Sequence, residues 1–184
     1  MKHSEFNADD RIDVKVLEHS IHFLNGEIDE ISVGECIRWL TYENLDPKPR
    51  TLTLYVNSPG GDLYQAFALI DMMRNSKHPI QTVGIGLVMS AGFLIFAAGT
   101  KGMRYAAKNT SFMCHQFSES SEGKYHDVKA AIKESERLNS RMLDILKEST
   151  GQTAAVVKKK LLPPSDVYLS AQETIDIGAA DHLL

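Results

Sequence analysis

An α/β domain built on a largely parallel sheet is predicted from three neighbouring stretches of the sequence. Residues 51–56 alternate Thr51, Thr53 and Tyr55 against Leu52, Leu54 and Val56, the period-two pattern of a half-buried strand. Leu63, Phe67, Ile70 and Met73 then recur on one helical face, and residues 80–85 read as the next strand. A strand, a helix and a second strand in such close succession form a right-handed crossover between parallel strands.

The remaining elements follow from the same patterns. Residues 16–24 can form a strand ended by Asn25-Gly26. Residues 29–45 carry Ile31, Cys36, Ile37 and Leu40 at roughly helical spacing and stop before Asp46-Pro47-Lys48-Pro49. Residues 90–98 are almost wholly apolar, which predicts a helix buried on every side. Short strands are expected at 103–106 and 111–115. The longest helix is expected over about 122–149, where Tyr125, Val128, Ile132, Leu138, Met142 and Ile145 step by threes and fours and Gly151 supplies the stop. Its apolar face can pack on its own core or on a neighbouring subunit. There is no internal repeat and no low-complexity linker, so residues 1–184 are read as one domain.

Bulk properties exclude several classes of function. A chain of 184 residues with 43% hydrophobic and 24% charged residues is ordinary for a globular domain. A net charge of −4 argues against a general nucleic-acid surface, and Lys158-Lys159-Lys160 reads as a solvated helix face. The greasiest stretch, residues 85–98, is too short and too interrupted by glycine to span a bilayer. No apolar signal region follows Met1, and Cys36 and Cys114 match no metal-ligand spacing. A reducing, cytoplasmic setting is expected.

The chemistry is concentrated at a few polar residues in apolar surroundings. Ser90 sits in Gly86-Leu87-Val88-Met89-Ser90-Ala91-Gly92, between a strand-like and a helix-like run. Burying a hydroxyl without a partner costs about 1–3 kcal/mol, so Ser90 either caps the helix or has chemical work to do. As a nucleophile it needs a base, and an imidazole with an ordinary pKa of about 6.5 suits that role. His115, at the end of a short strand, is the best placed histidine. Cys114 beside it points to the opposite face, so the two do not form a Cys–His pair. His22 reads as a core-edge histidine. His78 precedes a proline turn, His126 lies on an exposed helix, and His3 and His182 lie near the chain ends. Asn57-Ser58-Pro59-Gly60-Gly61 ends another strand, where residues without a Cβ let a substrate backbone approach. An extended peptide can add as a strand beside Gly60 and Gly61. Both glycine motifs fall at carboxyl ends of strands, where functional groups gather in such sheets. Asp166, Asp176 and Asp181 are candidates to orient the imidazole, and Asp166 lies in a loop able to fold back on the sheet.

Four motifs in a fixed order resemble the proteolytic subunit of the Clp protease. They are Asn57-Ser58-Pro59-Gly60-Gly61, Gly86-x-x-x-Ser90-x-Gly92, Met113-x-His115-Gln116 and Tyr168-Leu169-Ser170-Ala171-Gln172-Glu173, joined by the tail Ile177-Gly178-Ala179-Ala180-Asp181. The resemblance runs from about Ile21 to Leu184. It implies a crotonase-like α/β superhelix of β-β-α units, with the 122–149 helix as a protruding handle. It also implies heptameric rings stacked as a tetradecamer. The activity implied is that of a serine endopeptidase acting on peptides or unfolded proteins, with an ATP-dependent unfoldase as partner. The resemblance assigns Ser90 as nucleophile, His115 as base and Asp166 as orienter, with backbone N–H groups of Gly61 and Ala91 as oxyanion hole. It implies no metal or organic cofactor. Three departures stand out: Ala91 where the family usually has methionine, Phe117 where a proline is common, and Pro163-Pro164 ahead of Asp166. The segment 1–15 is short beside that of relatives. Two other readings are an acyl-CoA hydratase or isomerase of the same superfold, working through carboxylates, and a regulatory ring subunit without activity.

Overall fold

The computed structural model describes residues 7–118 and 122–184. The chain enters through helix α1 (Ala8–Glu18), whose N-terminus is closed by a capping box between Asn7 and Asp10. The strand expected at 16–24 therefore begins late. Residues 16–18 belong to α1, and strand β1 runs over Ile21–Ile28. Nor does Asn25-Gly26 end it. Gly26 takes a φ of +86° and the pairing slips between Asn25 and Glu27, so the strand carries a bulge there and continues.

Helix α2 (Glu30–Leu45) starts on Asp29, whose carboxylate accepts the N–H groups of Ile31 and Ser32. Its buried stripe is Val33, Cys36, Trp39, Leu40 and Glu43; Ile31, expected inside, is 69% exposed. Strand β2 (Leu52–Gly61) extends the expected strand through the whole Asn57–Gly61 motif. Helix α3 (Leu63–Arg74), capped by Asp62, buries Leu63, Phe67, Ile70 and Met73 as their spacing predicts. Strand β3 (Ile80–Met89) leads directly into helix α4 (Ala91–Ala97), every residue of which is buried.

Strands β4 (Arg104–Ala106) and β5 (Ser111–Cys114) both pair with β3, at different levels. Thr82–Gly84 hold β4, whereas Leu87–Met89 hold β5. Thr110 donates its hydroxyl to the Gly84 carbonyl where the outer edge of β3 passes from one partner to the other. Helix α5 (Tyr125–Thr150) ends at Gly151 in the left-handed conformation, as expected. Helix α6 (Ala154–Lys160), strand β6 (Val167–Leu169), helix α7 (Ala171–Asp176) and strand β7 (His182–Leu183) complete the chain.

The main sheet runs β1-β2-β3-β4-β7, parallel throughout, with β5 alongside β3 and β6 antiparallel to β5. Helices α2, α3 and α4 contribute Leu40, Leu69 and Phe96 to one core shared with Leu24, Leu54 and Phe112. The outcome is a parallel α/β fold with a long helix, in keeping with the crotonase-like class. Among the described residues no helix is long and apolar enough to cross a membrane.

Candidate active site

The carboxyl ends of β2, β3 and β5 lie side by side, and the site grows from their three exits. Strand β3 hands over to α4 at Ser90, whose backbone is held at φ +52° and ψ −120°. A non-glycine residue at positive φ stores strain of about 1–3 kcal/mol, which the surroundings must support. Here the Ser90 N–H donates to the Met113 carbonyl at 2.8 Å, and the Leu94 N–H to the Ser90 carbonyl at 3.2 Å. The Ser90 side chain does not cap α4. Its Oγ lies 2.7 Å from His115 Nε2 instead. The pairing of Met89 with Met113 sets both strands in step, so the residue after β3 meets the imidazole just beyond β5.

Alternation along β5 separates Cys114 from His115 as predicted. Cys114 is buried, and desolvation pushes its thiol up to about 12, so it stays protonated near neutrality. Cys36 is likewise buried and raised to about 12, with Glu35 adding to the effect of burial. The segment after His115 is fastened on both sides. Gln116 Nε2 donates to the Leu162 carbonyl at 2.8 Å, and the Phe117 N–H donates to Asn139 Oδ1 of α5 at 3.0 Å.

The exit of β2 forms the wall facing Ser90. Gly60 takes φ +102° and Gly61 φ +148°. A Cβ on Gly60 would stand 2.7 Å from Ser90 Cβ and 2.9 Å from the Met89 carbonyl oxygen. One on Gly61 would stand 2.3 Å from the Ile28 carbonyl oxygen. Both positions exclude a side chain: the bare backbone of Gly60 comes up to the serine, and that of Gly61 packs on β1. A cavity of about 130 Å³ opens there, lined by Gly61, Leu63, Ser90, His115, Phe117, Ser118 and Met142. Leu63 and Met142 had no site role from sequence, because an apolar residue at helical spacing reads as core, and Phe117 stood out only as a departure from a common proline. A larger concavity of about 770 Å³, lined by Asn139, Leu143, Leu162 and Pro163 among others, shares no residue with it.

The three candidate aspartates fare differently. Asp181 is committed to the buried guanidinium of Arg104, with its Oδ1 2.7 Å from Nη2 and its Oδ2 2.8 Å from Nε. Asp176 accepts from Gln172 at 2.8 Å on the surface. Asp166 is exposed, and among the described residues no hydrogen bond joins it to His115. Its position along the chain is nonetheless telling. Cys114 pairs with Val167 in the last rung of the antiparallel ladder, so His115 and Asp166 each lie one residue beyond that same end. His22, His78 and His182 behave as structural groups. His22 stacks on Trp39 with ring centroids 5.2 Å apart, and desolvation pulls its pKa down against the opposing pull of Glu35. His78 Nε2 sits 3.0 Å from the Asp46 carbonyl. His182 Nε2 sits 3.0 Å from the Gly102 carbonyl. His3 lies outside the described residues.

Comparison with known proteins agrees with this geometry. Residues 4–184 match the family model described as Clp protease. The ATP-dependent Clp protease proteolytic subunit 2 of Mycobacterium leprae is 36% identical over 173 residues, covering 92% of this chain and 79% of the relative. The proteins of the same name from Mycobacterium bovis and Mycobacterium tuberculosis match equally well, at 36% over the same span. A match over nearly the whole chain, with a serine and a histidine in contact at the strand exits, places this protein in the Clp protease proteolytic subunit family of serine peptidases.

Proposed function

We propose that this chain hydrolyses peptide bonds as a serine endopeptidase in which Ser90 is the nucleophile and His115 the general base. The observation that carries this reading is the 2.7 Å approach of Ser90 Oγ to His115 Nε2, made by a serine in a strained backbone whose hydroxyl forgoes capping its helix. In the reaction the hydroxyl proton passes to Nε2 as Oγ attacks the scissile carbonyl carbon. The carbonyl oxygen gains negative charge and is received by the N–H groups of Gly61 and Ala91, the latter at the first turn of α4. His115 then gives its proton to the leaving amine. Water, deprotonated by the same imidazole, hydrolyses the acyl-enzyme and returns Ser90 to its resting state.

Asp166 is the orienter in this scheme, since it and His115 both lie one residue beyond the same end of the β5–β6 ladder. Substrate lies extended beside Gly60 and Gly61, with a side chain reaching toward Leu63, Phe117 and Met142. Residues 1–184 act as one peptidase domain. The relatives are named as ATP-dependent subunits, and by that likeness the substrate is a polypeptide delivered by an ATP-driven unfoldase. The first half of α5, with no buried residue before Leu138, is the handle through which rings of this chain stack. The acyl-CoA reading, which needs carboxylates, is the weaker: none lines the cavity among the described residues.

The test is hydrolysis of a short fluorogenic peptide together with labelling by a fluorophosphonate. Wild-type protein should be labelled on Ser90. Ser90→Ala should lose label and at least about 10⁴-fold in kcat, with its native mass unchanged. Unlabelled wild-type protein without peptidase activity would overturn the assignment.

A further inference from the structure

Ser58 occupies a register position reserved for core residues. Leu52, Leu54 and Val56 precede it on the inward face of β2, all buried, and Ser58 is 0% exposed. A hydroxyl there needs a partner, because a polar group taken out of water without one is destabilising. It finds one two residues along the chain: the Gly60 N–H donates to Ser58 Oγ at 3.1 Å. This bond spans Pro59 within the last residues of β2 and sets how Gly60 and Gly61, paired with β1, come up to Ser90.

The same side chain touches the opposite wall of the site. A Cβ on Gly92 would stand 3.1 Å from Ser58 Cβ and 3.3 Å from its Oγ, so the first turn of α4 is seated on Ser58. Ser58 thus lies between the two segments that carry the proposed oxyanion donors, the Gly60-Gly61 turn and the Ala91-Gly92 turn. Strand pairing holds each segment on its own side but does not tie them to each other: Gly60 and Gly61 pair with Glu27 and Ile28 of β1, whereas β2 and β3 slip register between Val56 and Ser58 and pair no further than Ser58 with Val88.

We propose that Ser58 is a positioning residue for catalysis, fixing the distance and angle between the N–H groups of Gly61 and Ala91 without touching substrate. This deepens the peptidase reading and rests on it. Losing the hydroxyl lets the glycine turn relax, which weakens stabilisation of the tetrahedral intermediate and leaves ground-state peptide binding nearly intact. The expected signature is therefore a fall in kcat at almost constant KM.

The experiment measures kcat, KM and inhibition by a peptide aldehyde, which forms a tetrahedral adduct on the serine, in wild type, Ser58→Ala and Ser58→Cys. The thiol fills the space but accepts hydrogen bonds poorly. Both variants should lose on the order of 10–100-fold in kcat, with KM within about threefold and the aldehyde Ki raised in proportion to the lost kcat/KM. Variants with kcat within twofold of wild type overturn the proposal, as does a rise in KM and Ki together at constant kcat. Failure of both variants to fold makes Ser58 a core residue and overturns it too. Wild-type protein that neither cleaves peptide nor takes a fluorophosphonate defeats the peptidase reading first, so the two failures are distinguishable.

Discussion

Ser90 and Gly60 are bound to each other by space as much as by chemistry. The strained backbone of the serine aims its Oγ at His115, and the absence of a Cβ on Gly60 is what lets the two chain segments touch. Gly60→Ala should therefore be severe. Its methyl would enter the Ser90 Cβ and the Met89 carbonyl at a φ of +102°. We expect at least about a 10²-fold loss of kcat for a short peptide, and a destabilisation of about 1–3 kcal/mol read by thermal melting. Near-normal turnover in that variant would show that the glycine turn is remote from the reacting carbonyl. The motif was legible in the sequence because glycine pairs after a strand have a restricted use. The contact between Gly60 and Ser90 was not, because it joins two different strand exits.

Several helices are fastened to the sheet by one buried cation. Arg104, at the start of β4, donates to the carbonyls of Ala97 at the end of α4, Ser149 in the last turn of α5 and Gly178 after α7, and holds both oxygens of Asp181. Burial raises the Asp181 carboxyl, but hydrogen bonds and charge from Arg104, with the N–H groups of Arg104 and Gly102, outweigh it, so its pKa falls below the ordinary value. A carboxylate with a depressed folded pKa contributes its full stabilisation above the unfolded pKa of about 4. It loses that stabilisation as the pH drops through the lower folded value. Melting temperature should accordingly fall on acidification below about pH 4. Asp181→Asn should flatten this acid limb and cost about 3–5 kcal/mol at neutral pH, since the buried guanidinium loses its counter-charge. Melts across a pH series check both statements; an equally steep acid limb in the variant would assign the pH dependence to other carboxylates. Nothing in the sequence around Arg104 announced this hub. An arginine two residues past a chain turn looks like any surface arginine until four elements close over it.

Helix α5 connects the protomer to its proposed assembly. Leu138, Met142, Ile145 and Leu146 are buried, whereas Tyr125 is 71% and Ile132 55% exposed on the same predicted stripe. The second half of the helix belongs to the core, and the first half presents apolar side chains to whatever lies outside. Replacing Tyr125 by Ser together with Ile132 by Asp should change protomer stability by no more than about 0.5 kcal/mol, as surface changes usually do. It should nevertheless lower the native mass seen by sedimentation, with peptidase activity falling alongside it. A variant with unaltered mass would remove this face from the contact between rings.

Local pattern was enough for the alternation of strands and helices, the fully apolar α4, the long α5 and the two glycine exits, because burial on one face imposes a period that is written along the chain. It also marked Ser90 and His115 as polar groups in need of partners. It misjudged the start of β1, where the Asn7 and Asp10 cap draws residues 16–18 into a helix, and it put Ile31 inside. What it could not carry was convergence. The 2.7 Å contact of Ser90 with His115 depends on β5 pairing with the far half of β3, and the antiparallel register of β6 decides that Asp166 follows the same end of the ladder as His115. Register is set by contacts between segments distant in sequence, so those relations exist only once the sheet has formed.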